Sequence, residues 1–335
     1  RAPAESREAR RLYLSGRHLW NKRQPDELKK ALSLFRRALD EDASYAPAYA
    51  GLADCYDTLT GMGAFAPDEG YPKAKAAALR ALGLDEGLAE AHASLGHVHM
   101  RYDWDWAAAE REYMRAVELN PSYAPARHWL SIFMTITGRH DEAIAEGERA
   151  RQLDPLSPMI SLFQGAHLYF ARRFEESLAR CRRVLEAEPD FVAAHCFTGQ
   201  ALSRCGRHEE AVGVGLTAHR LSGGSTATLS ALCNYYAVAG RTGEARAALA
   251  ELSARARDEY VNPFELATAH VALNDERTAL DCLERAHQDR VGDIIFLGVA
   301  PEFDGLRHHP RFRRLLARLK LPKSPALGRR LSAVS

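Results

Sequence analysis

The sequence predicts an all-α protein, a solenoid of about eight helical hairpins closed by one further helix. Small residues return at a fixed interval, turn residues punctuate the chain at that same interval, and Ala, Leu, Arg and Glu dominate the composition, which favours helix over strand. Ala143, Ser177, Ala211, Ala245 and Ala279 stand 34 residues apart without an insertion. Twelve residues before each of them, Ser131, Gly165, Gly199, Cys233 and Ala267 keep the same spacing. Self-similarity at such a period marks a stacked repeat. Two antiparallel helices joined by a tight turn approach closely only where both present small side chains, and larger residues then fill the space beside them. Leu130, Met134 and Ile144 do so in one hairpin, Leu168 and Leu178 in the next, at the spacing of an amphipathic stripe.

The first helix of each hairpin should stop at Gly138, Arg172, Gly206, Gly240 and Asn274, a third series of the same period, and Gly and Asn suit a left-handed cap. Pro121, Pro155 and Pro189 close second helices, since proline cannot continue a helix beyond its first turn. Upstream the register returns around Gly96, Ala109 and Ala116, around Ala53, Ala74 and Ala81, and around Gly16, Ala31, Phe35 and Ala38. The longest insertion, about Thr60 to Glu69 with Gly61, Gly63 and Pro67, predicts a surface loop inside the second hairpin. Residues 8–290 are thus expected to form the solenoid, with hairpins from about Glu8 to Gln288. Residues 291–320 add an apolar connector, Ile294 to Val299, and a capping helix from about Pro310 to Leu319 with Phe312, Leu315, Leu316 and Leu319 on one face. Residues 321–335 are expected to be a flexible tail.

Composition narrows the function classes. At 335 residues the chain exceeds what one globular core usually supports. A net charge of +1 supplies no field for a phosphate backbone or an anionic membrane, which disfavours direct nucleic acid binding. No apolar run is long enough to span a bilayer, and Arg1 to Arg11 lack the apolar stretch of a secretory signal, so a cytoplasmic location is expected. The six cysteines form no C-x-x-C pair and read as packed thiols. A chain that begins with Arg1 is expected to be a segment of something longer.

Small residues, aromatics, Gly, Ala, Ala and Pro at these offsets resemble the tetratricopeptide repeat over almost the whole chain, with Ser177, Val184 and Cys233 departing from the commonest residues. The strings YDWDWAAAE from Tyr102, LNPSYAPA from Leu119, LDPLSP from Leu153, YFARRFEE from Tyr169 and PEFDGLRHHPRF from Pro301 further resemble the C-terminal repeat region of large bacterial regulators. There the repeats follow a winged-helix DNA-binding, Ser/Thr kinase or nucleotide-cyclase domain, so this resemblance implies a regulatory or sensor segment with its effector domain N-terminal to it. The repeat resemblance itself implies a right-handed superhelical solenoid whose first helices line a concave groove for a protein or peptide partner, with no cofactor. Its groove-facing offsets nominate Tyr13, Arg17, Trp20 and Asn21 in the first unit, Asp54 and Asp57 in the second, and His97 and Arg101 in the third. They continue with His128 and Ile132, then Tyr169 and Phe170, then Gln200 and Arg204, and Asn234. The Lys and Asn pairs with which one subclass clamps chaperone C-termini are replaced by Arg17, Asp54 and His97, which makes that ligand unfavourable.

Candidate chemistry has blander readings. His92, His97 and His99 cluster in sequence, but no carboxylate or cysteine is evident one turn away to complete a metal site, so they are read as packing or groove residues. Asp103, Trp104, Asp105 and Trp106 read as a turn whose tryptophans staple a hairpin and whose aspartate caps the next helix. The glutamate pairs at 175–176 and 209–210 open second helices, where negative charge complements the helix dipole. Gly223, Gly224 and Ser225 form an inter-repeat turn rather than a phosphate loop, and Arg329, Arg330, Leu331 and Ser332 resemble a short basophilic kinase target. No catalytic residue and no metal ligand is nominated.

Overall fold

The computed structural model describes residues 6–322, and among them are seventeen α-helices, one π-helical turn, two 3-10 helices and no strand. Arg329 to Ser332, with all but the first two residues of the expected tail, lie outside the described residues. Contacts divide the chain into two compact units, residues 1–130 and 131–335.

Unit 1 contains α1 (Arg7–Asn21), α2 (Pro25–Glu41), α3 (Ala46–Gly61), α4 (Pro67–Leu84), α5 (Ala89–Val98), α6 (Trp106–Leu119) and the start of α7 (Ala124–Ile136). α5 is extended by a π-helical turn, His99–Asp103. Helices adjacent in sequence pack as pairs, α1 with α2, α3 with α4 and α5 with α6. Ser6 caps α1 by accepting a hydrogen bond from the Ala9 amide, and Pro25 and Pro67 open α2 and α4, where a missing N–H costs nothing. The Phe35 ring explains two of the small residues: a Cβ on either Gly16 or Gly51 would stand 2.6 Å from its Cε1. The loop between α3 and α4 is confined to Met62–Ala66, shorter than the span Thr60 to Glu69 expected from its glycines. Helix persists to Gly61, with the Thr60 hydroxyl donating to the Tyr56 carbonyl, and Pro67 already starts α4.

Unit 2 continues from Ser131 with α8 (His140–Leu153), α9 (Pro158–Phe170), α10 (Phe174–Ala187), α11 (Val192–Arg204) and α12 (His208–Leu221). Then follow α13 (Thr226–Val238), α14 (Thr242–Arg255), α15 (Pro263–Ala272), α16 (Glu276–Gln288) and α17 (Pro310–Leu319). From Arg7 to Gln288, sixteen helices thus alternate as the first and second members of eight hairpins. All five residues of the turn series are left-handed, with φ of 77° at Gly138, 67° at Arg172, 75° at Gly206 and Gly240, and 61° at Asn274. Arg172 is the one member of that series with a long side chain, and its reason lies in what it grips.

The small-residue series behaves as close packing requires. The Ser177 hydroxyl, where the series otherwise has alanine, donates to the Gly165 carbonyl at 2.8 Å, so its polar atom is satisfied inside the contact. A Cβ at Gly199 would lie 2.7 Å from the hydroxyl of Tyr235, which is fully buried and donates to the Cys196 carbonyl at 3.0 Å. Gly199→Val is therefore expected to cost roughly 1–3 kcal/mol, since the ring has no space to retreat into. A urea titration of the variant against the parent measures it, and an unchanged midpoint would show that the two helices are not in close contact there.

The connector is structured more fully than its apolar composition suggested. Gly292–Gly298 and Pro301–Leu306 are short 3-10 helices, and they bury Ile294, Ile295, Leu297, Phe303 and Leu306. α17 buries Phe312, Leu315 and Leu319 and packs on α16 and on the first 3-10 segment.

Candidate partner-binding surfaces

In unit 1 the first helices contribute a polar and aromatic cluster. Arg17 Nη1 on α1 donates to Asp54 Oδ2 on α3 at 2.5 Å, and the Ser94 hydroxyl on α5 donates to the other Asp54 oxygen at 2.5 Å. Arg17 Nη2 also reaches the Tyr123 hydroxyl at 3.5 Å. One turn further along α3, Asp57 meets His97 Nδ1 at 2.7 Å, and the imidazole stacks on Trp129 with centroids 4.8 Å apart. The Trp20 ring carries two guanidinium groups, Arg17 at 4.2 Å and Arg23 at 3.5 Å from its centroid. Arg23 Nη1 donates to Thr58 Oγ1 at 3.1 Å. Tyr13 packs edge-on to Tyr45, and burial pushes its hydroxyl up to about 12.

Burial sets the electrostatics of this cluster. It raises the Asp54 carboxyl above the usual range, against the pull of Arg17 and the Ser94 hydroxyl. It opposes the charge on Arg17 as well, but Tyr123 and Asp54 outweigh it and hold Arg17 above its ordinary value. On Arg23 burial wins and lowers the pKa to about 10, which still leaves the group charged at neutral pH.

Unit 2 holds a segment of the chain itself against its first helices. The Tyr169 hydroxyl on α9 donates to Glu302 Oε1 at 2.6 Å, and Phe170 stacks on Phe296 at 5.0 Å with 14° between the planes. Arg172 donates to both Asp304 oxygens, at 2.8 and 3.2 Å, and to the Val299 carbonyl at 2.5 Å. This side chain is what the left-handed turn after α9 carries in place of glycine. Burial alone would lower the Arg204 pKa, and Tyr169 and Glu302 beside it more than reverse that. On α15, burial pushes the Glu265 carboxyl up to about 8 with Asp293 close by, and Asp293 accepts from Asn262 at 2.9 Å.

No family model matches this chain. Over 144 residues, 43% of this chain, the sequence is 27% identical to transcriptional regulator HilA of Salmonella paratyphi A (strain ATCC 9150 / SARB42). It is 26% identical over the same length to HilA of Salmonella typhimurium, and the matched stretch is only 26% of the regulator's length. Among solved structures, yeast Tom70 superposes at a TM-score of 0.54 and 16% identity, covering 99% of this chain and 69% of Tom70. PilW, described as a type IV pilus biogenesis factor, superposes at 0.52 and 18% identity, covering 65% of this chain and 97% of PilW. The fold is that of the tetratricopeptide repeat proteins.

In these tetratricopeptide hairpins the nominated groove residues fall into distinct environments. Tyr13, Arg17, Trp20, Asp54, Asp57 and His97 come together in unit 1, though Trp20 is only 1% exposed and acts as a platform for arginines. Asn21 is exposed at the end of α1, Arg101 is half-buried in the π-helical turn, and His128 and Ile132 on α7 are buried. Tyr169 and Phe170 are buried, covered in part by the chain's own residues 296–304, and Arg204 lies beside them. Gln200 and Asn234 are half-buried on α11 and α13.

The histidines differ from expectation, because each meets a carboxylate: His92 with Glu112 at 2.6 Å, His97 with Asp57, and His99 with Asp103 at 2.7 Å. Two of those carboxylates arrive from neighbouring helices, which helical spacing within one segment cannot reveal. No cluster of three or more metal-ligating side chains occurs among the described residues. In the turn after them, Asp105 caps α6 by accepting from the Ala108 amide, and Trp104 takes the left-handed position. Sequence reasoning missed Arg23, Ser94, Tyr123, Arg172, Glu302 and Asp304. Arg172 was visible as an arginine in a series of glycines and an asparagine, a sign that its side chain has another task. No helix among the described residues is long and apolar enough to cross a membrane.

Proposed function

We propose that this chain is a non-catalytic protein-interaction module that takes a peptide or partner domain along the first-helix face of unit 1. The observation that carries the reading is the way unit 2 already holds a segment. Aromatic stacking on Phe170, a carboxylate on Tyr169 and a carboxylate on Arg172 are the contacts of a bound peptide, made intramolecularly. The first helices of unit 1 present the same mixture of aromatic, arginine and amide groups, types enriched at recognition surfaces. A non-catalytic role is supported by the state of the acids there: Asp54 is tied to Arg17 and Ser94, and Asp57 to His97.

A second reading is favoured by the match to HilA, a transcriptional regulator, over 144 residues. In it the chain is the regulatory segment of a larger bacterial protein, located in the cytoplasm, whose DNA-binding, kinase or cyclase domain precedes it. The two readings are compatible, since a regulatory segment acts by binding.

A pull-down comparing two triple variants tests the surface. Asn21→Ala, His97→Ala and Arg101→Ala on the first-helix face should abolish capture of partners from the native host. Lys29→Ala, Lys73→Ala and Arg115→Ala, all on exposed faces of second helices, should leave capture intact. Capture that survives the first set would remove the groove from the reading.

A further inference from the structure

Two arginines of this chain occupy equivalent places after first helices, while a third left-handed arginine, Arg290, follows the second helix α16. Arg23 stands two residues after α1 ends, with φ of 53°, and Arg172 stands two residues after α9 ends, with φ of 67°. Their amides donate to equivalent carbonyls three residues back, on Trp20 at 3.2 Å and on Tyr169 at 2.9 Å. Glycine or asparagine would hold such a turn at less cost, so an arginine there points to work done by the side chain. In unit 2 that work is plain: Tyr169 donates to Glu302 while Arg172 grips Asp304, so the pair reads two carboxylates separated by one residue, Phe303.

In unit 1 the same pair has donors without such acceptors. Among the described residues no carboxylate lies within ion-pair distance of Arg23, whose guanidinium is held by the neutral Thr58 hydroxyl and the Trp20 face. The buried Trp20 Nε1 finds no hydrogen-bond acceptor. A half-buried cation without a counter-ion is costly, and an anionic ligand relieves that cost. Neighbouring Arg17, over the same ring, is already paired with Asp54, which leaves Arg23 as the cation open to a ligand.

We infer that the Arg23–Trp20 turn of unit 1 is a docking site for an acidic segment of a partner protein, one presenting carboxylates as Glu302 and Asp304 do in unit 2. A carboxylate of that segment pairs with the half-buried Arg23 guanidinium above the Trp20 face. The inference rests on the proposed interaction role and specifies its partner class.

The test uses the full chain and two labelled peptides in fluorescence polarisation. One is acetyl-Ala-Pro-Glu-Phe-Asp-Gly-Leu-amide, the sequence of residues 300–306, and its twin has Gln and Asn in place of the acids. The acidic peptide should bind with Kd on the order of 10–100 µM, and the twin about ten-fold more weakly. Arg23→Gln should reduce the acidic peptide to the level of its twin, and Arg23→Lys should recover part of the loss. Equal binding of the two peptides, or binding indifferent to Arg23→Gln, overturns the acidic docking site. In that event partner capture that still depends on Asn21, His97 and Arg101 leaves the groove reading standing, whereas loss of both removes both. Should Arg23→Gln fail to fold, as circular dichroism would show, the comparison of the two peptides on the unaltered chain decides.

Discussion

Between about pH 6.5 and pH 3, unit 2 is expected to lose on the order of 5 kcal/mol of stability through His167 alone. This imidazole is fully buried, and its pKa is lowered to about 3, chiefly by burial and secondarily by the charge of His140. The hydrogen bonds fit a neutral ring. The Thr135 hydroxyl donates to the Ser131 carbonyl at 3.1 Å and accepts from Nδ1 at 2.7 Å, which leaves Nε2 to accept from the Ser131 hydroxyl at 2.9 Å. In the unfolded chain the histidine binds a proton below about 6.5, while the folded one stays neutral until about 3. Across that window the unfolded state carries the extra proton, so stability falls as pH falls and is retained above about 6.5. Urea titrations from pH 7 to pH 4 of the parent and of His167→Gln, which keeps a donor and an acceptor without titrating, measure the difference. Parallel curves would mean that the imidazole is not buried in neutral form.

Phe303→Ala is expected to destabilise unit 2 by about 3–5 kcal/mol, the range for deleting a fully buried phenylalanine. Its ring is packed edge-on against Phe264 at 5.2 Å and lies 6.4 Å from Phe312, so one truncation loosens the connector, α15 and α17 together. The loss should reach further, because Glu302 and Asp304 on either side of Phe303 hold Tyr169 and Arg172. Amide hydrogen exchange should accordingly rise in α9 as well as in Pro301–Leu306. The control is Leu156→Ala, whose side chain is 90% exposed and whose loss should change little. If α9 keeps its protection in Phe303→Ala, the connector is not holding it.

The hairpins were legible because a period of 34 residues needs only local chemistry to be seen: which residues are small, which can turn left-handed, which cannot continue a helix. Gly199 and Ser177 sit where small side chains were needed, and the capping helix falls on the predicted Pro310–Leu319. The site was legible only in part. Offsets brought Arg17, Asp54, Asp57 and His97 to one face but could not show that they bond to one another, since Arg17 and Asp54 are 37 residues apart on different hairpins. The largest omission was the connector: Glu302, Phe303 and Asp304 were noticed only as part of a family string. A carboxylate 133 residues from its tyrosine leaves no periodic trace.

That same bond changes how unit 2 must come apart. An open stack of repeats frays from its ends, each hairpin answering only to its neighbours. Here residues after the last hairpin return to clasp α9, and the clasp runs between positions 133 apart. The stack is tied into a loop, so the terminal hairpins cannot peel away singly, and melting of this half should be collective rather than stepwise.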